Sequence, residues 1–342
     1  MPMNPAPLVS GPMAIAATPA GDRVFVNWAD RALLIGTDGQ GATILKSSAV
    51  EWGGTPAPGQ FASAAAFDGS GFSVFASWEV VKLLRFDVNG DAIGPAMDVV
   101  PPSPPRIPEY HLMPGSAALA VDGGVAFAWW DESPGLFMHA TLVRADGTLA
   151  HDTILGSGAL DAFTGEGPTA SLAAYDGDVY ALSTSALRSG TARITRLGWS
   201  DGAPWTTVVD GTSGESVSWP LLVSGNRLLF ANDRKSTTVL YAGTPADGFS
   251  PIWTFPQRPV AQAVDGCGRF VALASEDDPS GGRQLVAHAL RDATPPVVLS
   301  HMFTVGGTQP LMGPAVVGLP TGFGVVWQDN AHTLVYATLS WR

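Results

Sequence analysis

The feature of this sequence that most constrains its fold is an internal repeat with a period of about 49 residues. An apolar run that ends in tryptophan and an acid recurs as "VFVNWAD" from Val24, "VFASWEV" from Val74, "VAFAWWDE" from Val125 and "VVWQD" from Val325. The last residue of this run in each unit is Trp28, Trp78, Trp130, Thr184, Asn232, Ser275 or Trp327, at intervals of 50, 52, 54, 48, 43 and 52 residues. A period of this size indicates a repeat architecture in which each unit is one supersecondary element.

Each unit has the pattern of four short strands. An Ala-rich run, such as "MAIAA" or "ASAAAF", is followed by a Gly-containing turn and then by the apolar run described above. A third run, a turn such as "TDGQG" or "RADGT", and a short fourth run complete the unit. Such runs between Asp-Gly turns are typical of strands in hairpins, and four of them per unit form the blade of a β-propeller. The small side chains of the first run suit the innermost strand, where neighbouring blades crowd around the axis.

The sequence therefore predicts an all-β chain that folds as a single seven-bladed β-propeller domain of four-stranded antiparallel blades over residues 1–342. We expect the blades at about residues 12–50, 59–100, 114–155, 166–210, 217–255, 258–300 and 312–342. The seventh unit ends in its third run, and "APLVSG" at residues 6–11 resembles the fourth run "PPVVLS" of unit six. We expect this N-terminal strand to complete the last blade and close the ring, which removes two sheet edges. Six blades are the alternative, because units four and five depart most from the pattern.

The repeat unit, with its Ala-rich opening, its V-x-F-x-W-x-D run and its Asp-Gly turns, resembles the WD40-like or YncE-like β-propeller repeats of bacterial proteins. The resemblance covers almost the whole chain and implies the fold. It does not imply a function, because propellers host binding, scaffolding and catalysis alike. The Gly-His and Trp-Asp signatures of eukaryotic-type repeats and the kelch double glycine are absent, and "GWSDGAPW" lacks the residue that a sialidase Asp-box has between Asp201 and Gly202.

Net charge and composition limit the classes of partner that the protein is expected to bind. The formal net charge of −12 disfavours nucleic acid and anionic membrane surfaces, which are bound through clusters of Lys and Arg. No run approaches the ~18 apolar residues of a membrane helix, so no membrane insertion is expected. The partner classes that remain are a small molecule, a glycan or a peptide, and we expect a monomer. The segment "MPMNPAPLVSGPM" does not have the pattern of a signal peptide, which leaves open a cytoplasmic chain or a secreted or periplasmic one whose signal has been removed.

The Trp-acid ends define the first candidate site. They lie between the second and third strands of their blades, and in a propeller these loops share one face with the connections between successive blades. The predicted ligand-binding residues from these ends are Trp28, Asp30, Trp78, Glu79, Trp130, Asp131, Trp327 and Asp329. Tryptophan faces can stack on a sugar or bind a cation, and carboxylates can accept hydrogen bonds. The alternative is that each tryptophan packs between blades and each acid belongs to a turn.

The connections between blades add further candidates. The proline-rich segment "PPSPPRIPEYHLMPG" could hold Arg106, Tyr110 and His111 over the axis, and the segment from residue 300 to residue 313 brings His301 to the same face. Arg106 and His301 are predicted to bind ligand. If the protein is an enzyme, the candidates for catalysis are Asp131, Glu132, Tyr110 and His111, but no nucleophile elbow, phosphate loop or dinucleotide fingerprint is present.

The sequence gives little indication of a metal site or of a reactive cysteine. The six histidines are scattered without metal-ligand spacing, and His139 and His288 fall in third strands, where we expect structural roles. "DVNGD" at residues 87–91 has oxygen spacing that would suit calcium, but it lies where other units have a hairpin turn. The lone Cys267 is expected to be a turn residue. The sequence thus predicts no metal site and no cofactor, and leaves calcium on the acidic face open.

These observations favour a ligand-binding propeller that holds a glycan, a peptide or another small ligand on its Trp-acid face. A hydrolase or lyase that uses the carboxylates with Tyr110 or His111 on that face is the first alternative. A scaffold that binds proteins through the outer edges of its blades is the second.

Overall fold

The computed structural model describes residues 14–28, 31–37, 41–50, 61–77, 81–100, 112–131, 137–157, 170–184, 192–199, 204–209, 220–234, 237–255, 257, 259–277, 283–291, 297–305, 314–328 and 334–340. All the regular elements in these ranges are β-strands, and they form seven separate antiparallel sheets. Each sheet is one blade, and within it the strands pair in the order in which they occur along the chain. The seven-bladed prediction is therefore confirmed, and the six-bladed alternative is wrong.

The first four blades occupy the first two thirds of the chain. Blade one contains β1 (Ala14–Ala17), β2 (Arg23–Trp28), β3 (Arg31–Thr37) and β4 (Ala42–Ala49), and blade two contains β5 (Phe61–Phe67), β6 (Gly71–Ser77), β7 (Val81–Asp87) and β8 (Met97–Val100). Blade three contains β9 (Leu112–Val121), β10 (Gly124–Asp131), β11 (Phe137–Val143) and β12 (Leu149–Ser157), and blade four contains β13 (Ala170–Tyr175), β14 (Asp178–Thr184), β15 (Ala192–Arg196) and β16 (Trp205–Val208).

The last three blades follow the same plan. Blade five contains β17 (Leu222–Ser224), β18 (Arg227–Arg234), β19 (Thr237–Thr244) and β20 (Gly248–Thr254), and blade six contains β21 (Pro259–Val264), β22 (Phe270–Asp277), β23 (Arg283–Arg291) and β24 (Val297–Val305). Blade seven contains β25 (Ala315–Leu319), β26 (Gly322–Gln328) and β27 (Leu334–Ser340). Its sheet has three strands among the described residues, and the predicted closing strand at residues 6–11 lies outside them.

The first strands of neighbouring blades contact each other in chain order, and β25 contacts β1, so the blades form a closed ring around an axis. As the sequence predicts, these innermost strands are rich in small residues. Gly318 shows how close the blades come at the axis, because a Cβ atom there would lie 1.9 Å from the carbonyl oxygen of Val264 in blade six. Any larger residue at this position would push blades six and seven apart.

The core consists of apolar clusters between neighbouring blades. Because side chains alternate between the two faces of a strand, each blade contributes one face to the cluster before it and the other face to the cluster after it. Phe72 and Val74 of blade two pack with Phe25 of blade one, whereas Phe75 packs with Phe127 of blade three. The second strands are buried on both faces, which explains why they read as unbroken apolar runs in the sequence.

The strand order places two kinds of connection at opposite ends of the ring. The turn-bearing end carries the turns from first to second strands and from third to fourth strands, and the turns from first to second strands are short, such as residues 122–123 and 176–177. The loop-bearing end carries the loops from second to third strands and the connections between blades, some of them long, such as residues 101–111 and 158–169. The face on which the sequence predicts a ligand site is the loop-bearing end.

Neighbouring turns at the turn-bearing end are joined by hydrogen bonds. The Tyr175 hydroxyl donates to the Asn226 carbonyl (2.8 Å), the Ser224 hydroxyl donates to the Gly268 carbonyl (2.5 Å), and the Gly266 amide donates to the Leu319 carbonyl (2.8 Å). These bonds connect blades four to seven. No helix that is long and apolar enough to cross a membrane occurs in the part of the chain that the structure describes.

Candidate functional site

A cavity among the described residues forms a channel along the axis, with a volume of about 710 Å³. All seven blades contribute to its wall, mostly through their first strands. The wall is formed chiefly by aliphatic side chains, and the described residues that line it include no Asp, Glu, Lys, Arg or His. A cavity of this size with an apolar wall is within the range of sites that bind small molecules.

The channel wall can be compared between blades. In six of the seven blades, the first strand presents to the channel a residue that lies opposite an apolar residue of its second strand, on the face of the blade that packs against the preceding blade. These wall residues are Ile15, Ala65, Ala118, Leu172, Gln262 and Val316 in blades one, two, three, four, six and seven. Gln262 is the only polar member of this set.

Gln262 is buried, with 5% of its surface exposed. Neither the oxygen nor the nitrogen of its side-chain amide has a hydrogen-bond partner in the structure. Most buried polar side chains in native proteins do have partners, and an unpaired buried amide costs about 1–3 kcal/mol. An uncompensated cost in the wall of an apolar channel marks Gln262 as a functional candidate. The sequence contains a signal for this residue, because "PVAQAV" places one glutamine inside an otherwise apolar first run, but Gln262 is not among the residues predicted above.

The predicted Trp-acid residues that fall in described strands lie at the loop-bearing end. Trp28 ends β2, and Trp130 and Asp131 end β10. The structure therefore places these three positions on the predicted face at the level of the backbone. Eight other predicted residues lie outside the described ranges, namely Asp30, Trp78, Glu79, Arg106, Tyr110, His111, Glu132 and Asp329.

Two other predicted residues lie differently from what the sequence suggested. His301 is not in a connection between blades: it lies within β24, opposite Ala287, because this fourth strand continues to Val305. It is therefore on the outermost strand of blade six. Trp327 is buried, with 6% of its surface exposed, and packs with Leu273 and Leu285 between blades six and seven. Its position fits the alternative that this tryptophan is a packing residue.

A polar network links three strands of blade three on the face that packs against blade two, and it runs from the buried Trp129 and Thr141 to the exposed Asp152. The Trp129 indole nitrogen donates to the Thr141 hydroxyl (2.8 Å), and this hydroxyl donates to a carboxylate oxygen of Asp152 (2.8 Å). The Nδ1 atom of His139 lies 3.0 Å from the other Asp152 oxygen, and its ring stacks on Trp129 with 4.2 Å between centroids. The structural role expected for His139 fits this arrangement.

The histidine of blade six lies on the face that packs against blade five. The Nε2 atom of His288 is 3.3 Å from an oxygen of Glu276, and its ring is tilted by 56° against Trp253 of blade five. His288 and Gln262 both lie opposite Ala272, from the third and first strands respectively. Residues in such a row share one face of the sheet, so Gln262 and His288 belong to the same interface between blades.

A polar cleft of about 280 Å³ separates blades two and three at the turn-bearing end. Asp68 and Arg85 in its wall form an ion pair of 2.8 Å, and Arg85 also donates to the Ala145 carbonyl of blade three (3.2 Å). Burial acts to raise the pKa of Asp68, but hydrogen bonds from Ser70, Arg85 and Gly71 outweigh it and hold this pKa below its ordinary value of 3.8. Asp68 and Arg85 are paired with each other, and Arg85 also reaches blade three, so this pair links the two blades.

The segment at residues 87–91 is a hairpin turn whose carboxylate is engaged by the chain itself. Asp87 accepts hydrogen bonds from the backbone amides of Asp91 (2.9 Å) and Asn89 (2.8 Å), which lower its pKa, and Gly90 has a φ of +78°. Within the described ranges, no group of three or more His, Cys, Asp and Glu side chains could hold a metal ion. Cys267 is an exposed turn residue whose thiol donates to the Pro320 carbonyl of blade seven.

Comparison with known proteins supports the β-propeller fold but does not identify a function. The hydrazine synthase of Kuenenia stuttgartiensis has a TM-score of 0.59 and 13% identity, with 96% of each chain covered. The periplasmic gluconolactonase of Pseudomonas aeruginosa has a TM-score of 0.51 and 16% identity, with 88% of each chain covered. The Dos1 propeller has a TM-score of 0.52 and 9% identity, with 96% of this chain and 92% of that chain covered.

At these identities, the similarity to solved structures shows that the chain is a β-propeller and nothing more specific. No protein-family model matches the chain, and no curated protein matches it. Proteins with different names, such as the gluconolactonase and the Dos1 propeller, share this fold.

Proposed function

We propose that this protein is a binding propeller that holds a small ligand on its axis at the loop-bearing end. The observation that carries this proposal is the axial channel, whose wall is built from all seven blades. A ligand at this position can contact residues from the whole ring at once, whereas a ligand at an outer edge contacts one or two blades.

The asymmetry of the two ends supports the same location. The described turns from first to second strands at the turn-bearing end are short and are linked across blades by hydrogen bonds such as Ser224 to Gly268. The loop-bearing end carries the connections between blades, and connections of this length are commonly functional. The ends of β2 and β10 bring Trp28, Trp130 and Asp131 to this end. A glycan, a peptide or another small ligand remains the proposed class of partner.

The test is a binding screen of the full chain against a glycan array and a peptide library. Asp131→Ala and Trp130→Ala are expected to weaken binding of any hit about ten-fold or more each, as removal of a charged hydrogen-bond partner or a stacking aromatic would. Asp122→Ala, in the exposed turn at the other end of the same blade, is the matched control and should leave affinity unchanged. Equal effects of Asp122→Ala and Asp131→Ala would contradict the location.

The enzyme alternative can be separated by the same variants. If a hit is converted, loss of turnover with retained affinity in Asp131→Ala would indicate a hydrolase or lyase. Parallel loss of affinity and turnover would indicate that Asp131 binds the ligand in the ground state.

A further inference from the structure

We propose that the axial channel accepts an uncharged, elongated and largely apolar molecule, and that Gln262 selects for a hydrogen-bonding group on that molecule. This inference rests on the proposed function, because it describes the site that lies on the axis between the two ends of the ring. It adds the chemical class of the ligand and one residue that determines specificity.

The shape of the channel argues for an elongated occupant. Its wall runs along the first strands, and in blade one it extends from Ala14 at the start of β1 to Pro19 in the turn that follows. Because these strands surround the axis, a chain-like molecule such as an alkyl chain can lie along it and contact several blades.

The composition of the wall argues that the buried part of the ligand is uncharged. The described wall residues carry no charge, and most are Ala, Val, Leu or Ile. Burial of an unpaired carboxylate or ammonium in such surroundings is strongly unfavourable. The net charge of −12 adds a general repulsion against anions.

Gln262 determines the specificity of the channel for its ligand. Its amide can donate and accept at the same time, so it matches a primary amide, a hydroxyl or a protonated carboxyl group. In the free protein, the amide is buried beside the channel without partners. Rotation of the side chain toward a ligand in the channel would replace two unpaired groups by hydrogen bonds. A ligand that offers a matching group therefore gains affinity over an apolar molecule of the same length.

The experiment titrates the full chain with decanamide and with decanoate by calorimetry at pH 8. Decanamide should bind, and decanoate, which is charged at this pH, should bind at least about ten-fold more weakly. Gln262→Met keeps the size and shape of the side chain and should weaken decanamide binding about five- to ten-fold, which corresponds to one lost hydrogen bond. Crystals soaked with 10-bromodecanamide should show the bromine inside the channel.

Two control variants separate a specific effect from a general one. Gln284→Met makes the same substitution in the third strand of the same blade, away from the channel, and should not change the affinity for decanamide. Tyr336→Phe removes another buried polar atom without a partner, the hydroxyl beside Gly324 between blades seven and one, and should also leave the affinity unchanged.

The outcomes distinguish this inference from the proposed function. Equal binding of decanoate and decanamide, or equal effects of Gln262→Met and Gln284→Met, would overturn the inference. A chain that binds a polar ligand through Asp131 but does not bind decanamide would overturn the inference and leave the proposed function intact. A chain in which decanamide binds and only Gln262→Met weakens it supports both.

Discussion

The interface between blades two and three and the interface between blades five and six both contain a histidine, an acid and a tryptophan. In the first, Trp129, Thr141, Asp152 and His139 form a chain of hydrogen bonds and stacked rings, and each of these side chains has a partner. In the second, His288 and Glu276 are 3.3 Å apart, and the amide of Gln262 in the same interface has no partner.

The difference separates two uses of buried polar groups. A fully paired network stabilises one arrangement of the blades, because every alternative leaves a donor or acceptor unpaired in a low dielectric. An unpaired amide costs free energy in the folded protein and persists where something else compensates for it. The interface between blades two and three is therefore expected to serve stability, and the interface between blades five and six to serve binding.

The largest expected effect is on the network of blade three. Thr141→Val keeps the shape of the side chain but leaves the Trp129 indole nitrogen without an acceptor and removes a donor to Asp152. We expect the free energy of unfolding to fall by about 2–3 kcal/mol, measured by chemical denaturation. Thr141→Ser retains the hydroxyl and should lose less than half as much. Equal losses in the two variants would show that the methyl group, and not the hydrogen bonds, is important at this position.

The second prediction concerns pH at the same interface. Because the pKa of Asp68 is lowered in the folded chain, its contribution to stability is present above the unfolded value of 3.8 and is lost as the pH falls through the folded pKa. Arg85→Met removes the ion pair and the bond to Ala145, and should cost about 2 kcal/mol at pH 7. The gap between wild type and variant should narrow below pH 3.8. A gap that is constant with pH would mean that the charge of Asp68 does not contribute.

The third prediction is a gain in the free energy of unfolding, whereas the first two are losses. Gln262→Met removes the two unpaired polar atoms and should raise the free energy of unfolding by about 1–2 kcal/mol. Denaturation of wild type and variant, both without ligand, measures it. Thr141→Val lowers stability and Gln262→Met raises it, so the two variants test the comparison directly. A loss of stability in Gln262→Met would show that the amide has a partner that stabilises the fold.

The smallest effects are expected from the acids that face the two histidines. Asp152→Asn disturbs a carboxylate that accepts from Thr141 and contacts His139, and should cost about 1 kcal/mol. Glu276→Gln alters a single contact of 3.3 Å and should cost less than about 0.5 kcal/mol. Denaturation at pH 7 measures both. A larger loss in Glu276→Gln than in Asp152→Asn would reverse the order of the two interfaces.

Much of the fold could be predicted from the sequence because a β-propeller is periodic. The spacing of the Trp-acid runs and of the Asp-Gly turns predicts the number of blades and the strand order, since each unit depends on its own hairpins. His301 shows the limit: the sequence predicts that blade six ends with the run "VVLS" at Ser300, but pairing with β23 extends β24 to Val305. Strand length is decided by the partner strand, which the local sequence does not reveal.

The candidate site was predicted less well for a related reason. A tryptophan at the end of an apolar run has the same local sequence whether it faces a ligand or a neighbouring blade. Trp327 packs between blades six and seven, and Trp129 belongs to a polar network. The importance of Gln262 became visible only when the fold placed it in the wall of the apolar channel and the register placed it opposite Ala272.

The sequence by itself determined the class of this fold, the seven repeats, the hairpin order inside each repeat and the face on which Trp28, Trp130 and Asp131 lie, because all of these follow from the local period of strands and turns. The tertiary structure alone decided which polar groups meet. It joined Trp129, Thr141, Asp152 and His139 into a paired network, and it left the amide of Gln262 unpaired beside an apolar channel. The physical reason is that hydrogen bonds and cavities depend on residues that are distant in the sequence. The network joins residues 11 to 13 positions apart on three strands of one blade, and closure of the ring brings Ala14 of blade one and Pro320 of blade seven into the same channel wall.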